Sequence, residues 1–234
     1  MKYLKLFENF NKSEIDEICK EYWIANYTIN SDGSIDVNGD VNFYKLNLTK
    51  LPLKFNKVSG SFDCAKNQLT NLEGCPKEVG GSFDCSYNKL TSLEGCPNHV
   101  DGSFYCHNNN LTNLEGCPNY VGCDFDCAGN QLTNLIGCPN AVGDLNCSCN
   151  NLTTLEGYPE EIDGDIWITD NPIYDVVCLF NCIVRYLDYQ ETYNFIRKDG
   201  KIVRHLLEEA LKDFNEYYDR TVELPEKIQG YTYI

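Results

Sequence analysis

The sequence predicts a solenoid of stacked coils, with short parallel strands in its body and helices covering its two ends. A 21-residue unit recurs from residue 48 to residue 172, with a single step of 20 residues. Each unit alternates apolar and polar residues over a short stretch, which is the pattern of a strand with one buried face. A glycine, a cysteine and a proline come early in most units, and proline does not continue a helix. Units of this length cannot bury a core alone, so they stack on their neighbours.

The clearest copy of the unit locates the strand, and it runs from Leu69 to Lys89 as LTNLEGCPKEVGGSFDCSYNK. Counted from the first leucine, positions 15 and 17 are Phe83 and Cys85, and the residues around them are polar. Because side chains alternate across a strand, these two residues are predicted to face the core. Strands of successive units then form a parallel sheet on the concave side, spaced roughly 4.8 Å apart. The six units begin at Leu48, Leu69, Leu90, Leu111, Leu132 and Leu152.

The return side of each coil is marked by Gly-Cys-Pro at positions 6 to 8 of most units. Proline fixes its own φ and biases the preceding residue toward extended geometry. We therefore predict a convex side that is extended or polyproline-like, without α-helix. Gly80-Gly81 stand before the strand, where a bulky side chain would obstruct a tight bend.

An asparagine occupies position 20 of every unit, just beyond the buried strand. A buried amide needs hydrogen-bond partners, so we expect a ladder in which each asparagine bonds the backbone of adjacent coils. The predicted ladder consists of Asn67, Asn88, Asn109, Asn130, Asn150 and Asn171.

Nine of the fourteen cysteines fall in two columns of the repeat. The columns are Cys75, Cys96, Cys117 and Cys138 at position 7, and Cys64, Cys85, Cys106, Cys127 and Cys147 at position 17. The other residues in these columns are apolar or aromatic, and a free cysteine behaves as a small buried hydrophobe. We therefore predict reduced thiols in the core. Disulfides and a zinc site are the alternatives, although the spacing is unlike that of zinc ligands and no histidine accompanies it.

The repeat divides the chain into four segments. We expect a helical segment over 1–26, a capping hairpin with the first strand over 27–47, repeats over 48–172, and a helical C-terminal cap over 173–234. Such covers are expected because an open solenoid end would expose core and sheet edge.

Short motifs predict individual helices and strands in the N- and C-terminal segments. Ser13 is a favourable helix N-cap, and Asn38-Gly39 between alternating apolar residues predicts a hairpin of 35–37 with 41–43. Helical periodicity after the repeats predicts two helices, over 173–188 and 202–218, separated at Asp199-Gly200.

The charge is strongly acidic, with a formal net charge of −16. No Lys or Arg lies between Lys89 and Arg185, a span that holds thirteen Asp and Glu. This field repels nucleic acid and anionic membranes and attracts a basic protein partner, although it also serves plain solubility. No apolar run approaches the roughly 18 residues of a membrane helix, and the start is too charged for a signal peptide. We therefore expect a cytoplasmic protein.

The repeat resembles the leucine-rich repeat family. Its pattern, Leu-x-x-Leu-x-Gly-Cys-Pro-x-x-Val…Phe-x-Cys-x-x-Asn-x-Leu, is similar to the family core Leu-x-x-Leu-x-Leu-x-x-Asn/Cys-x-Leu. The short unit and its proline most resemble the bacterial effector-type subclass, whose convex side is extended. More narrowly, the segment from Tyr27 to Val41, followed by Leu48 to Phe55, resembles repeat proteins common in tailed bacteriophage genomes. Cysteine replaces the family's usual leucine, and the first unit is degenerate.

The concave face is the candidate binding surface, since outward positions of the strands supply acids and isolated aromatics. The candidate residues are Asp63, Asp84, Tyr87, Tyr105, His107, Asp124, Asp126, Asp144, Asn146, Asp165 and Trp167. Large aromatic anchors dominate many protein interfaces, which favours Trp167 most. No catalytic set, phosphate loop or metal-ligand spacing is recognisable, so we expect a non-enzymatic binding module without cofactor or metal.

A virion-associated structural protein is the alternative function. Leu6-Phe-Glu8 resembles the cleavage signal of prohead proteases in large tailed phages, within a short amphipathic leader. The plain interpretation of the same residues is an N-terminal capping segment.

Overall fold

The computed structural model describes residues 10–197 and 199–234 and shows a β-solenoid of about six coils built from parallel strands. The predicted solenoid is therefore confirmed. In chain order the strands are β1 Tyr27–Ile29, β2 Ile35–Val37, β3 Val41–Asn42, β4 Phe55–Val58, β5 Phe62–Asp63, β6 Glu78–Val79, β7 Phe83–Asp84, β8 His99–Val100, β9 Phe104–Tyr105, β10 Tyr120–Val121, β11 Phe125–Asp126, β12 Ala141–Val142, β13 Leu145–Asn146, β14 Glu161–Ile162 and β15 Ile166–Trp167. The helices are α1 Lys12–Glu21, α2 Pro172–Leu179, α3 Ile183–Tyr193 and α4 Arg204–Tyr218. The signal proposed at Leu6-Phe-Glu8 lies outside the described residues.

The strand predicted around positions 15 and 17 covers positions 15 and 16 in the structure. These strands form a seven-stranded parallel sheet, here called sheet 2, with the order β15-β13-β11-β9-β7-β5-β3. Its register advances by one unit per strand, so Phe83 pairs with Phe62 and with Phe104. The inward phenylalanines stack along the solenoid, with centroids of Phe83 and Phe104 5.4 Å apart and their rings 15° from parallel. The strand alternation seen in the sequence therefore places one continuous column of rings in the core.

A second sheet, here called sheet 1, was not predicted. Its strands within the repeats include positions 10 and 11, just before the strands of sheet 2, and its order is β1-β2-β4-β6-β8-β10. Two residues per coil leave almost no periodicity for a sequence pattern to reveal. Sheet 1 stops at β10, and β12 pairs only with β14. The 20-residue unit lacks position 12, whose N–H in other coils bonds the preceding coil, as Gly122 N–H does with Val100 O at 2.9 Å.

Two backbone features turn each coil. Position 19 has a left-handed φ in every coil, although only one of its residues is glycine: Lys45, Lys66, Tyr87, Asn108, Gly129, Cys149 and Asp170. Position 6 combines positive φ with close approach. At Gly116, where φ is +84°, an added Cβ would lie 3.0 Å from backbone atoms of Leu93 and Glu94. Glycine is thus required there by both conformation and space.

The N-terminal end differs from the sequence predictions in two details. The helix N-cap is Asn11, not Ser13, because the Asn11 side chain accepts from Glu14 N–H at 3.1 Å and Glu14 returns a bond to Asn11 N–H at 2.9 Å. This reciprocal capping box lies two residues earlier than predicted. The prediction of a hairpin at Asn38-Gly39 is also wrong. β2 belongs to sheet 1 and β3 to sheet 2, so that turn carries the chain between sheets, and the antiparallel pair is β1 with β2.

The described part of the C-terminal segment contains three helices where two were predicted. The stretch 173–188 is divided between α2 and α3 at Asn181, whose φ is +63°. The segment contacts the last coil directly, since Ile173 N–H donates to Leu152 O at 2.8 Å and the Tyr231 hydroxyl donates to Thr153 O at 2.6 Å. None of the helices in the described part of the chain is long and apolar enough to cross a membrane.

Candidate binding surface

The predicted binding residues all lie at or beside the strands of sheet 2, on its outward side. We call this surface the sheet 2 face, defined by Asp63, Asp84, Tyr87, Tyr105, His107, Asp124, Asp126, Asp144, Asn146, Asp165 and Trp167. Strand pairing sets them in columns: Asp63, Asp84, Tyr105, Asp126, Asn146 and Trp167 follow one another at position 16, one per coil.

All three acids of the position 16 column close a turn within their own coil. Oδ1 of Asp84 accepts from Ser86 N–H at 2.9 Å, and Asp126 accepts from Ala128 N–H at the same distance. Asp63 and Asn146 do the same with the residue two positions on. This is an Asx-turn, in which a short side chain replaces a backbone acceptor. Half-burial of Asp63 raises the pKa of its carboxyl group, and the neighbouring Asp84 charge raises it further.

The acids of position 14 join one coil to the next. Oδ1 of Asp124 accepts from Asp144 N–H at 3.1 Å, and Oδ1 of Asp144 accepts from Asp165 N–H at 2.7 Å. The serines at this position act identically, since Ser82 Oγ accepts from Ser103 N–H at 3.1 Å. Asp165 stands in the last coil, so no further repeat offers its carboxylate an N–H.

These bonds change the interpretation of the acidic columns. Position 14 holds only Ser or Asp, and position 16 holds mainly Asn or Asp. Exchange of Asp with Ser or Asn keeps a short side chain with an oxygen acceptor but not the charge. This pattern is typical of residues whose side chains hydrogen-bond the backbone. This exchange is visible in the sequence, but the prediction of an acidic column for partner binding did not use it. The columns therefore build the coil as well as charging its surface.

Two coils break the Asx-turn rule. Position 16 is Tyr105 in one and Trp167 in the other, and neither side chain has an oxygen that can reach the residue two positions on. Among the described residues, the N–H groups of His107 and Thr169 find no acceptor. Repeats that forgo a local stabilising contact are candidates for function. The absence of the Asx-turn at Tyr105 and Trp167 is therefore a stronger reason to consider them as binding residues than their aromatic character alone.

The first exception is surrounded by an aromatic cluster. The His107 ring lies edge-on to Tyr87, with centroids 5.2 Å apart, and 6.4 Å from the Tyr105 ring. Its Nδ1 atom is buried, has no hydrogen-bond partner in the described structure, and lies 3.6 Å from Oδ2 of Asp126. The cluster thus brings together three aromatic rings, the Asp126 carboxylate and one buried nitrogen without a hydrogen-bond partner.

Lys66 extends this cluster toward the N-terminus. Its Nζ atom lies 5.2 Å from the Tyr87 ring centroid and 5.3 Å from that of Tyr44. Tyr44 was not among the predicted residues, because its coil precedes the repeats that the leucine pattern marks. A cation between two rings shows how this surface accommodates positive charge.

The second exception lies at the end of sheet 2. Trp167 belongs to β15, the edge strand, and is 42% exposed beside the exposed Asp165. Its backbone is held by the preceding coil, since Cys147 N–H donates to Trp167 O at 2.9 Å. The indole is therefore displayed on a fixed backbone at the open edge of the sheet.

The asparagines of position 20 lie buried and bond three neighbouring segments. Nδ2 of Asn88 donates to Cys64 O at 3.0 Å in the preceding coil and to Cys85 O at 3.1 Å in its own, and Oδ1 accepts from Leu69 N–H at 2.9 Å. The same set of bonds recurs at Asn67, Asn109, Asn130, Asn150 and Asn171. These buried residues organise the scaffold.

The cysteine columns face the core as free thiols. At position 17, Cys64, Cys85, Cys106, Cys127 and Cys147 are fully buried; at position 7, Cys75 and Cys96 are buried and Cys117 and Cys138 are half-buried. None of the chain's fourteen cysteines, all within the described residues, forms a disulfide. Burial raises the pKa of Cys96 and of Cys147 to about 12, so these thiols stay protonated. Within the described ranges no group of His, Cys, Asp and Glu side chains is arranged to hold a metal ion.

Comparison of the chain with known protein families, with curated proteins and with solved structures found no significant match.

Proposed function

We propose that this protein is a non-enzymatic binding module that holds a basic, extended segment of another protein on the sheet 2 face. The observation that carries the proposal is the pair of coils in which Tyr105 and Trp167 replace the turn-closing side chain. Each of these coils gives up a local hydrogen bond and gains a ring on the outward surface.

Charge supports a basic partner. The span from residue 90 to residue 184 holds thirteen acids and no Lys or Arg, and it forms most of the sheet 2 face. Oxygens used in turns and coil contacts still belong to carboxylates, so their negative charge remains at the surface. Such a field steers a cationic partner and rejects nucleic acid and anionic membranes.

The repeat type belongs to the same proposal. We infer a leucine-rich repeat of the short, effector-like kind, encoded by a bacteriophage, with sheet 2 on the concave side and the terminal helices as caps. The support is the resemblance of the repeated residues, together with contacts between the C-terminal segment and the last coil. The free thiols suit the reducing cytoplasm.

The test uses a short peptide of alternating lysine and threonine, and a glutamate–threonine peptide as its counterpart. We expect the basic peptide alone to bind at about 0.15 M salt, where exposed charges more than ~8 Å apart are largely screened. Trp167→Ala and Tyr105→Ala are each expected to weaken binding about five- to thirtyfold, which is typical of aromatic hot spots.

Matched controls exist in the chain. Trp23 is the only other tryptophan and is 91% exposed at the N-terminal end, and Tyr120 is 50% exposed on sheet 1. Trp23→Ala and Tyr120→Ala should leave binding unchanged. If they weaken binding as much as Trp167→Ala and Tyr105→Ala, the peptide does not use the sheet 2 face and the proposal fails.

A further inference from the structure

The C-terminal helices carry a second surface feature, distinct from the sheet 2 face. Helices α3 and α4 flank an open groove of about 620 Å³. We call it the helical groove, and it is lined chiefly by three tyrosines and three acids: Tyr189, Tyr193, Tyr217, Asp188, Asp213 and Glu216. No lysine or arginine lines it within the described ranges.

Part of this lining serves the fold. The Tyr189 ring stacks on Phe180 with centroids 5.3 Å apart and lies edge-on to Phe214 at 5.8 Å, so it belongs to the core of the segment. The Tyr193 hydroxyl donates a hydrogen bond to the Asp213 carboxylate, which joins α3 to α4.

The remaining lining makes only surface contacts, among them the Tyr217 ring edge-on to Tyr218 with centroids 4.8 Å apart. Tyr217 is 79% exposed, although burying an aromatic ring of its size is strongly favourable. Asp188 is exposed, and Glu216 lies 4.0 Å from Lys212 in an exposed pair, which contributes little to stability. The exposed Tyr217 ring and the Asp188 carboxylate are therefore accessible to a ligand, and Glu216 is held only by the weak pair with Lys212.

The same pair of helices shows which ligand suits such a lining. The Arg185 guanidinium carbon lies 4.5 Å from the Tyr218 ring centroid, so an arginine already stacks on a tyrosine here. A guanidinium is planar, stacks on aromatic faces and donates paired hydrogen bonds to carboxylates. An ammonium group is a compact, strongly hydrated charge and gains less from a ring face.

We propose that the helical groove binds an arginine side chain of a basic protein segment, with its guanidinium stacked on Tyr217 and hydrogen-bonded to Asp188 or Glu216. The site is separate from the sheet 2 face and does not depend on it. Lysine of the same charge is the weaker ligand, and this preference distinguishes the groove from general attraction to an acidic protein.

The test compares a glycine–arginine peptide with a glycine–lysine peptide of equal length and charge, by fluorescence anisotropy at about 0.15 M salt. We expect the arginine peptide to bind more tightly and Tyr217→Ala to weaken it about two- to fivefold, as expected for loss of one exposed cation–ring contact. Tyr217→Phe keeps the ring and should bind like the wild type. Asp188→Asn should weaken the arginine peptide more than Asp175→Asn, which removes an equal charge from α2.

Three results would overturn the proposal: equal binding of the two peptides, equal losses in Asp188→Asn and Asp175→Asn, or loss of arginine binding in Trp167→Ala alone. The last result would support the sheet 2 face instead, so the two proposals fail separately. Far-UV circular dichroism checks that each variant is folded.

Discussion

The side-chain amide of Asn109 donates to the main-chain oxygen of Cys85, one coil earlier, at 3.1 Å. The same amide bonds Cys106 O at 3.1 Å in its own coil, and its oxygen accepts from Leu90 N–H at 3.0 Å. One buried side chain thus gives Leu90 N–H its acceptor and bonds two main-chain oxygens, each of which also accepts from a neighbouring asparagine of the ladder, Asn88 or Asn130.

Asn109→Ala is expected to lower the free energy of unfolding by about 3 kcal/mol, since Leu90 N–H is left unsatisfied at a cost of about 1–3 kcal/mol and two further hydrogen bonds are lost. The adjacent Asn110 has an exposed side chain, and Asn110→Ala should change stability by less than about 0.5 kcal/mol. Urea unfolding of both variants gives the comparison. Equal stabilities would contradict a structural role for the ladder.

Position 14 makes a prediction that separates scaffold from binding surface. Asp144→Ala should cost about 1 kcal/mol, because Asp165 N–H loses its acceptor, whereas Asp144→Ser keeps an acceptor and should cost little. Asp165→Ala should be near neutral, since no coil follows it. Urea unfolding measures all three. A cost at Asp165 equal to that at Asp144 would mean that the coil contact is not the cause.

The fold was predictable where one rule repeats in every unit. Phe83 and Cys85 alternate with polar neighbours, and six copies of that alternation determine a parallel sheet. The second sheet was not predictable, because pairs such as Glu78–Val79 are too short to show a period. The prediction of a hairpin at Asn38-Gly39 was wrong for another reason. That dipeptide suits any turn needing positive φ, and here Gly39 has φ +141° at the passage between the two sheets.

The candidate surface was predictable in location but only partly in role. An outward acid such as Asp126 looks the same in sequence whether it binds a partner or closes a turn. The distinction needs the atom that its oxygen meets, which here is Ala128 N–H. Tyr105 can be recognised as an exception only once the hydrogen bonds of the other position 16 side chains are known. Tyr217 was missed because periodicity assigns it simply to the polar side of a helix.

The buried thiols predict a loss of stability at alkaline pH. An unfolded cysteine has an ordinary pKa of 9.0, whereas burial raises the pKa of Cys96 to about 12 in the folded protein. Between these values the unfolded chain binds fewer protons, so the free energy of unfolding falls as pH rises. The fall for this one thiol is about 0.8 kcal/mol between about pH 7.5 and about pH 9.5, and the other buried thiols add to it in the same direction.

Urea unfolding at the two pH values tests this loss in three proteins. Cys96→Ala should lose about 0.8 kcal/mol less than the wild type over that interval. Cys123 is exposed, and Cys123→Ala should show the wild-type loss. The same pH dependence in all three proteins would show that the buried thiol does not cause the effect.

The most direct test of the binding function uses the two tryptophans as reporters. In Trp23→Phe the only tryptophan is Trp167, on the edge strand of sheet 2, and in Trp167→Phe it is Trp23 at the opposite end. Each protein is titrated with the lysine–threonine peptide while the tryptophan emission is recorded. A saturable change in the emission of Trp167, with none for Trp23, is the predicted result. If the emission of Trp167 stays unchanged, whether or not that of Trp23 changes, the result contradicts a binding site on the sheet 2 face.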